Sequence, residues 1–310
     1  MTADPAETGR GTFVLTFDFE DWHQLVYQQK GRAGWQAGSD AFEQHVGNLL
    51  DVLDEVGVSA TFFVAGVTAE RHPAALREVV AKGHEIGCHG YDHRRVDGQT
   101  PDEFRRDLVR CIAVIEGICG ITPVGYRAPW CSITRDSLWA HDVLRQLGFR
   151  YDSSLYDSPR TPNRIRPIPS HPYPVGGDCD VLWEFPIAVC RWGRVVLPLG
   201  GGAYWRVLPS AVLWRGLNDV SRQTAFPAFY FHPYEFAQEP LRVELSARPH
   251  PRERVREAWR YVWQNTRRNL IEPRLREAAA RYRLVPVRDT LPLLGDDTDS
   301  TLLQQARALV

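Results

Sequence analysis

Short apolar segments alternate with longer amphipathic segments along the first half of the chain. Each apolar segment is four to seven residues long and rich in β-branched and aromatic side chains, a composition typical of buried strands. The segments between them have room for helices of about 10 to 18 residues, and this alternation indicates parallel β/α units. The predicted strands are 13–17, 58–64, 84–88, 124–127 and 149–152.

Helix-boundary signals support this assignment. Thr100-Pro101-Asp102-Glu103 combines a threonine cap, a proline at the first helical position and a glutamate at the third, and predicts a helix that stops before Gly120. Asp40 with Glu43 is a variant of the capping box, and Gly57 stands where a glycine commonly follows a helix. Further helices are predicted over 73–82 and 134–148.

The second half of the chain has a less regular pattern. Residues 153–180 contain six prolines, and so long a segment without helices or strands of its own is usually a functional loop or a lid. Trp259, Val262 and Trp263 have helical spacing within 252–283, which predicts one or two amphipathic helices that cover the rest of the fold. Strands are expected at 181–187, 195–199, 227–231 and 284–287, and a helix at 209–222.

Polar side chains recur where the predicted strands end. In β/α barrels the chemistry lies on the face where the carboxyl ends of all strands converge. We therefore expect these side chains to share one pocket. They are Asp18, His89, Arg127, Asp152 and His232.

Composition and charge narrow the class of protein. The chain has 310 residues, 44% of them hydrophobic and 24% charged, which suits a globular α/β barrel of ordinary length. The net charge of −1 gives no electrostatic case for binding nucleic acid or an anionic membrane. Residues 1–10 lack the basic and apolar regions of a secretory signal, and no apolar run reaches the roughly 18 residues of a membrane span. We therefore expect a cytoplasmic protein.

Several common functional motifs are absent from the sequence. There is no Gly-x-Ser-x-Gly elbow and no Gly-Lys-Ser/Thr phosphate loop, which argues against a serine hydrolase and a nucleoside triphosphatase. Gly200-Gly201-Gly202 is not a dinucleotide fingerprint, because position 205 is tryptophan. The cysteines show no Cys-x-x-Cys spacing, so we expect reduced, buried thiols. They are Cys88, Cys111, Cys119, Cys131, Cys179 and Cys190.

Two short stretches carry most of the candidate chemistry. Asp18, Glu20 and Asp21 follow the first predicted strand, and His89 and His93 follow the third. Two imidazoles and one carboxylate are a frequent catalytic zinc shell, with one position left open for water. Clustered acids are unfavourable unless they are solvated or neutralised by a cation. The plainer alternatives are two histidines at chance spacing and an exposed acidic turn.

Five motifs, taken in order, resemble those of the polysaccharide deacetylases, the NodB-homology enzymes of carbohydrate esterase family 4. The resemblance implies an α/β fold, a distorted (β/α)7 barrel at 12–235. A helical C-terminal extension at 236–290 would pack on the barrel, with tails at 1–11 and 291–310. The motifs are Thr16-Phe17-Asp18, His89-x-x-x-His93, Arg127-x-Pro129-Trp130, Asp152 and Phe231-His232.

Details of three motifs resemble a narrower group, the cytoplasmic deacetylases linked to exopolysaccharide export in exosortase-type gene clusters. These details are Asp18-Phe19-Glu20-Asp21-Trp22, Gly200-Gly201-Gly202-x-Tyr204-Trp205-Arg206 and His232-Pro233-Tyr234-Glu235-Phe236. The group implies a substrate from exopolysaccharide biosynthesis.

The resemblance also implies roles for single residues. Asp18 would be the general base, oriented by Arg127, and His232 the general acid, tuned by Asp152. His89 and His93 would bind a divalent metal, usually zinc. Many family members have Asp-Asp at the first motif, but here position 19 is phenylalanine. The third ligand is therefore Glu20, which strand alternation favours, or Asp21, which the usual ligand type favours.

The implied reaction is metal-dependent removal of N-acetyl groups from an amino-sugar glycan. Trp22, Trp130, Tyr204 and Trp205 would offer flat apolar faces to a sugar ring, beside Pro129, and a backbone N–H near Tyr91 would stabilise the oxyanion. One alternative is hydrolysis of a cyclic imide or ureide on the same fold. The other is a non-catalytic glycan-binding barrel.

Overall fold

The computed structural model describes residues 10–157, 165, 168–176, 181–245 and 249–294. Residues 1–9 and 295–310, which make up most of the two predicted tails, lie outside these ranges. So do Cys179 and part of the proline-rich segment 153–180. Within the described ranges, no helix combines the length and the apolar character needed to span a membrane.

Eleven strands and ten α-helices are defined in the described residues. The strands are β1 Thr12–Phe19, β2 Thr61–Val64, β3 Glu85–Cys88, β4 Gly125–Tyr126, β5 Tyr151–Asp152, β6 Tyr173–Val175, β7 Leu182–Glu184, β8 Val189–Trp192, β9 Val195–Pro198, β10 Ala228–Phe231 and β11 Arg283–Val285. The helices are α1 Trp22–Gln29, α2 Phe42–Val56, α3 Gly66–Arg71, α4 Pro73–Ala81, α5 Pro101–Cys119, α6 Trp139–Gln146, α7 Gly202–Val207, α8 Ser210–Gln223, α9 Pro251–Asn265 and α10 Ile271–Arg281.

The main sheet is built from parallel strands in the order β10-β1-β2-β3-β4-β5-β7. An isolated parallel bridge joins Ile187, just after β7, to Ala228 of β10. The two ends of the sheet are therefore brought together, and β6 adds an antiparallel strand beside β7. The predicted fold class, a distorted seven-stranded α/β barrel, is confirmed.

The central strand β1 is buried from Phe13 to Phe19, as expected for a parallel strand covered on both faces. Its register places Asp18 beside Phe63 of β2. Farther round the sheet, Tyr126 of β4 pairs with Cys88 on one side and with Asp152 on the other. The carboxyl ends of these strands consequently lie at one mouth of the barrel.

Local capping chemistry explains the helix boundaries. Thr100 and Glu103 form both bonds of a capping box at the start of α5, and Gly120 and Gly57 end α5 and α2 in the left-handed conformation. The predicted Asp40 cap is wrong. The N-cap of α2 is Ala41, whose backbone N–H donates to the Ser39 hydroxyl at 3.2 Å.

The C-terminal part of the chain completes the fold. The two helices expected there are present as α9 and α10. Ile271, Leu275 and Ala278 of α10 are buried in the main core, and β11 pairs in parallel with the start of β1. In α9, by contrast, Glu257 alone is buried. The predicted division at 235/236 remains a prediction.

Candidate metal-dependent active site

Side chains from the ends of three strands line one cavity of about 540 Å³ at the mouth of the barrel. Asp18 and Glu20 come from β1, His89 and His93 from the turn after β3, and His232 from the end of β10. The three segments that carry these residues are far apart in the sequence, and the aligned strand ends bring them together.

Glu20, His89 and His93 form a cluster suited to one metal ion. The Oε2 atom of Glu20 lies 2.7 Å from Nε2 of His93 and 3.4 Å from Nε2 of His89. All three donor atoms lie within 4.8 Å of one another, and all three side chains are buried. Two imidazoles and a carboxylate at these separations fit the three protein ligands of a catalytic zinc site.

Hydrogen bonds and charges around the cluster keep its donor atoms in the forms that bind a cation. Nδ1 of His89 donates to the backbone carbonyl of Arg127 at 2.8 Å, which leaves Nε2 with its lone pair directed at the cluster. Oε2 of Glu20 is buried, and no group of the described residues other than the two imidazoles lies in position to donate to it. Burial by itself raises the pKa of Glu20, but His93, His232 and His89 outweigh it and hold the pKa well below its usual range. The carboxylate is therefore ionised.

Asp21 has a different task. Its Oδ1 accepts the backbone N–H of His23 at 2.8 Å and so caps α1, and its Oδ2 accepts the backbone N–H of Ser39 at 2.5 Å. Both carboxylate oxygens are thus used to fix the chain. Between the two carboxylates that the sequence left open, the geometry favours Glu20 as the third ligand.

Unusual backbone conformations occur around the cluster. His93 has φ of 52° and Trp130 has φ of 61°, which is rare for residues other than glycine. Gly90, between the two histidines, has φ of 72°. These turns direct both imidazoles towards Glu20, and non-glycine residues in this region are concentrated at functional sites.

Arg127 is fully buried and holds Asp18. Its Nη1 donates to Oδ1 of Asp18 at 2.9 Å and to the Thr16 hydroxyl at 2.6 Å, while Nε and Nη2 donate to the backbone carbonyl and hydroxyl of Ser153. Its guanidinium lies 4.4 Å from the centre of the Phe63 ring. Asp18 is therefore kept in one orientation, as the resemblance implied.

His232 faces both carboxylates of β1. Its Nε2 lies 3.2 Å from Oε1 of Glu20 and 3.8 Å from Oδ2 of Asp18, and its Nδ1 lies 3.5 Å from Oε2 of Glu235. Burial lowers the pKa of His232, but the carboxylates of Glu20, Glu235 and Asp18 outweigh it and raise the pKa to about 9. The ring stacks on Tyr234 at 4.8 Å.

Asp152, predicted to tune His232, lies in a separate buried cluster with His141 and Glu184. Its Oδ2 is 3.3 Å from Nε2 of His141, and its Oδ1 accepts the hydroxyl of Ser154. Burial, with the Asp152 carboxylate, raises the pKa of Glu184 well above its usual range. Within the described part of the chain, Asp152 makes no contact with His232. The carboxylate at Nδ1 of His232 is that of Glu235.

The predicted substrate-binding residues divide into two groups. Trp130 and Tyr204 line the cavity, as does Trp22. Trp205 does not, because it is fully buried against Phe229 and Phe231 and donates to the Leu199 carbonyl at 2.7 Å.

Tyr91 and Pro129 also lie away from the cavity surface. The backbone N–H of Tyr91 donates to Oδ2 of Asp107 at 2.8 Å, so it does not supply the expected oxyanion donor. The side-chain hydroxyl of Tyr91 bonds to Glu70 at 2.5 Å. Pro129 is buried at the start of the turn that presents Trp130.

Sequence reasoning missed two parts of the site, a carboxylate that contacts His232 and one wall of the cavity. Glu235 beside His232 had a usable signal, since an acid at the third position after His232 forms a capping box with it. The other missed part is contributed by α9, whose Trp259 and Trp263 line the cavity. The helical spacing of these two tryptophans is visible in the sequence, but their position over the barrel mouth is not.

Two family profiles together match most of the chain. The family described as polysaccharide deacetylase matches residues 6–151. A domain of unknown function, DUF3473, matches residues 153–290.

Two curated relatives are similar over the first part of the chain. A peptidoglycan deacetylase-like protein of Gibberella zeae is 37% identical over 123 residues, which are 39% of this chain and 36% of the relative. The peptidoglycan deacetylase of Helicobacter pylori is 32% identical over 129 residues, which are 42% of this chain and 43% of the relative. The matches span less than half of either relative.

One solved structure covers nearly the whole chain. It is a Mycobacterium smegmatis protein described as a candidate polysaccharide deacetylase, with a TM-score of 0.61 at 24% identity over 99% of this chain and 93% of that chain. A likeness at this level of identity concerns the fold alone. The barrel and the part of the chain at 153–290 therefore have a counterpart in one known architecture.

Proposed function

We propose, from the premise that residues 6–151 form a polysaccharide deacetylase domain, that this chain removes N-acetyl groups from an amino-sugar glycan. The observation that carries the proposal is the shared cavity: a three-residue metal cluster, an oriented aspartate and a protonated histidine line it together. These are the parts that metal-assisted amide hydrolysis requires.

Glu20, His89 and His93 would hold the metal, and zinc suits two imidazoles and one carboxylate. A zinc ion held there would lower the pKa of a coordinated water to about 7 and polarise an amide carbonyl. The chemistry of the donors supports this assignment, because the buried Oε2 of Glu20 faces, among the described residues, only the two imidazole nitrogens that would share the metal with it.

Asp18 is suited to act as the general base. Its Oδ1 is held by Arg127, while the carboxylate lines the cavity beside Glu20. In the first step, Asp18 takes one proton from the attacking water, and the water oxygen forms a bond to the carbonyl carbon of the N-acetyl group. The product of this step is a tetrahedral oxyanion.

His232 is suited to act as the general acid. Its pKa of about 9 means that the ring carries a proton at neutral pH, and its Nε2 faces the cavity between Asp18 and Glu20. In the second step the C–N bond breaks, and His232 gives its proton to the leaving nitrogen. Acetate and a free amino sugar result.

We further propose that the substrate is an exopolysaccharide precursor and that the protein works in a reducing compartment such as the cytoplasm. The substrate assignment is supported by the motif details at 18–22, 200–206 and 232–236. The compartment is supported by Cys88, Cys111, Cys119, Cys131 and Cys190, which are free thiols in the described part of the chain.

Purified protein tests the proposal through metal content and acetate release from N-acetylglucosamine oligomers. We expect about one divalent ion per chain and acetate release that stops with a chelator and returns with zinc. Asp18→Asn should keep the metal and lower kcat by roughly 10²–10⁴-fold. Acetate release that survives both chelation and Asp18→Asn contradicts the proposal, as does hydrolysis of allantoin or a cyclic imide in place of the oligomers.

A further inference from the structure

Helix α9 exposes two large aromatic side chains. Trp259 is 66% exposed and Trp263 is 37% exposed, and their rings stack at 5.7 Å with an angle of 9° between their planes. Neither ring is packed in the protein core, since Glu257 alone is buried on this helix. Exposed apolar surface of this size commonly marks a binding site.

The two rings belong to the catalytic cavity. They line the same space of about 540 Å³ as Asp18 and His232, together with Arg256, Arg260 and Gln264 of the same helix. Another wall carries Trp130, which is 49% exposed and lies edge-on to His93 at 5.6 Å. The surface of α9 is therefore continuous with the reaction centre.

Hydrogen bonds and ion pairs fix α9 in this position. Arg206 donates from Nη1 to the carbonyls of Trp263 and Gln264 at 3.2 and 2.7 Å. Its Nε lies 3.8 Å from Oε1 of Glu235, the carboxylate beside His232. The last turn of α9 is thus tied to the general acid through a buried arginine.

The opposite end of α9 is anchored as well. Nζ of Lys30 lies 3.0 Å from Oε1 of Glu253 and 3.6 Å from Oε1 of Glu257. Near the last turn, the Asn265 side chain accepts from the backbone N–H of Leu241 and donates to its carbonyl. A fixed helix holds the two rings in a defined relation to the cavity, as a subsite requires.

We propose that Trp259 and Trp263 form a sugar-stacking subsite for units of the glycan chain that precede or follow the N-acetylated unit. This inference rests on the proposed function and adds to it that helix α9 binds the sugar units beside the N-acetylated one. A sugar ring offers an apolar face to an aromatic ring and hydroxyls at its edge, and the subsite combines aromatic faces with the polar groups of Gln264 and Arg260.

Substrates of two lengths test the subsite. Trp259→Ala should raise KM for acetate release from an N-acetylglucosamine hexamer by about 10-fold, as expected for the loss of roughly 1.4 kcal/mol of stacking. The dimer offers one sugar unit beyond the N-acetylated one, against five in the hexamer, so its KM should rise by less than that of the hexamer. Trp263→Ala should act in the same direction.

Val262→Ala is the matched control. Val262 lies on the same helix and is 62% exposed, but it is not part of the cavity lining, so its KM for the hexamer should stay unchanged. Equal losses on hexamer and dimer in Trp259→Ala overturn the subsite, because they indicate a general effect on the fold. If Trp259→Ala changes KM for neither the hexamer nor the dimer, the subsite is overturned as well.

Binding separates this inference from the proposed function. If the metal-loaded wild type releases no acetate from any oligomer, the proposed function fails. Binding of the hexamer can still be measured by tryptophan fluorescence. A roughly 10-fold weaker binding to Trp259→Ala supports the subsite, and absence of binding to the wild type overturns the subsite. Light scattering tests self-association of the protein. If the protein dimerises as its concentration rises and Trp259→Ala abolishes this dimerisation, the rings serve protein self-association and the subsite proposal is overturned.

Discussion

The adjacent carboxylates of Glu20 and Asp21 have different partners in the structure. Glu20 faces two imidazoles, whereas both oxygens of Asp21 accept backbone N–H groups. Glu20 lines the cavity, whereas Asp21 is not among the residues that line it. The difference between the two residues is therefore one of position and partners, since both are buried.

Amide substitutions at these positions should separate the two tasks. Glu20→Gln removes a charged ligand, and we expect bound zinc to fall well below one ion per chain, with loss of acetate release. Asp21→Asn keeps an oxygen that can cap α1, but its NH₂ group cannot accept the backbone N–H of Ser39. It should therefore retain zinc while lowering the free energy of unfolding by about 1–3 kcal/mol. Elemental analysis and urea unfolding measure the two effects. Loss of zinc in Asp21→Asn alone would contradict the ligand assignment.

Part of the site was predictable at the level of single residues. The strand ends predicted one pocket for five residues, because polar residues after apolar runs converge in a parallel barrel. Asp18, His89 and His232 line the cavity and Arg127 holds Asp18, but Asp152 lies in a separate cluster. Trp205 was misassigned, since an aromatic residue after a glycine-rich turn suits a core as well as a sugar site. Which one it enters depends on Phe229 and Phe231, more than twenty residues away.

At the scale of elements, the start of α7 and the turn after β10 are closely packed. A Cβ at Gly202 would lie 2.2 Å from Oε2 of Glu235, which also accepts the backbone N–H of His232 at 3.1 Å. The glycine-rich motif therefore leaves room for the carboxylate that supports the general acid. This explains why the motif needs small residues without binding a nucleotide.

Gly202→Ala should displace Glu235 and disturb His232. We expect kcat to fall by about 10-fold while the bound metal is retained, because Glu20, His89 and His93 are not touched. Gly47→Ala in α2 is the control, since nothing lies within 4 Å of a Cβ at that position. Steady-state kinetics with a metal assay measures the effect, and unchanged kcat would show that Glu235 moves without consequence for His232.

A second element-scale contact joins the starts of β2 and β3. Nδ1 of His84 accepts the backbone N–H of Ala60 at 3.2 Å, so the bond requires a neutral ring. Burial lowers the pKa of His84 to about 4, with further lowering from Arg288 and Lys82. In an unfolded chain the pKa is about 6.5.

The unfolded chain therefore binds more protons at His84 than the folded chain between about pH 6.5 and pH 4. Stability from this group is present above that window and is lost as the pH falls through it. Between pH 8 and pH 5 we expect His84 to account for about 2 kcal/mol of lost unfolding free energy. Urea unfolding of His84→Gln at both pH values should show a correspondingly smaller loss, and an identical loss would contradict the assignment.

Elements with strong boundary signals were predicted well, and those without them were not. The start of α5 was determined by local capping chemistry, whereas α3 starts at Gly66 without a side-chain cap and was missed. Asp21 does cap α1, but the acidic cluster was interpreted as a metal site or an exposed acidic turn, not as a helix start. The hairpin β8–β9 was missed in part, because the first of its two strands follows directly on the predicted strand at 181–187.

At the scale of the whole molecule, the C-terminal part of the chain is integral to the barrel. Residues of α10 and β11 enter the main core, and β11 pairs with β1 beside the start of β2. The backbone N–H of Val287 donates to the buried hydroxyl of Thr61, and that of Arg288 donates to the buried carboxylate of Glu85. Sequence patterning predicted helices here but not their role, since the contacts cross more than two hundred residues.

A chain that ends at residue 235, the predicted domain boundary, should therefore not fold as a stable barrel. Among the buried side chains that truncation removes are the large ones of Ile271, Leu275, Tyr282, Leu284 and Val287. At about 1.5–3 kcal/mol each, their loss amounts to roughly 10 kcal/mol, as large as the total stability of a typical domain. A chain ending at residue 294 keeps every one of these contacts and is the control. Circular dichroism with thermal unfolding compares the two chains, and a cooperative transition in the shorter chain would establish residues 1–235 as an independent unit.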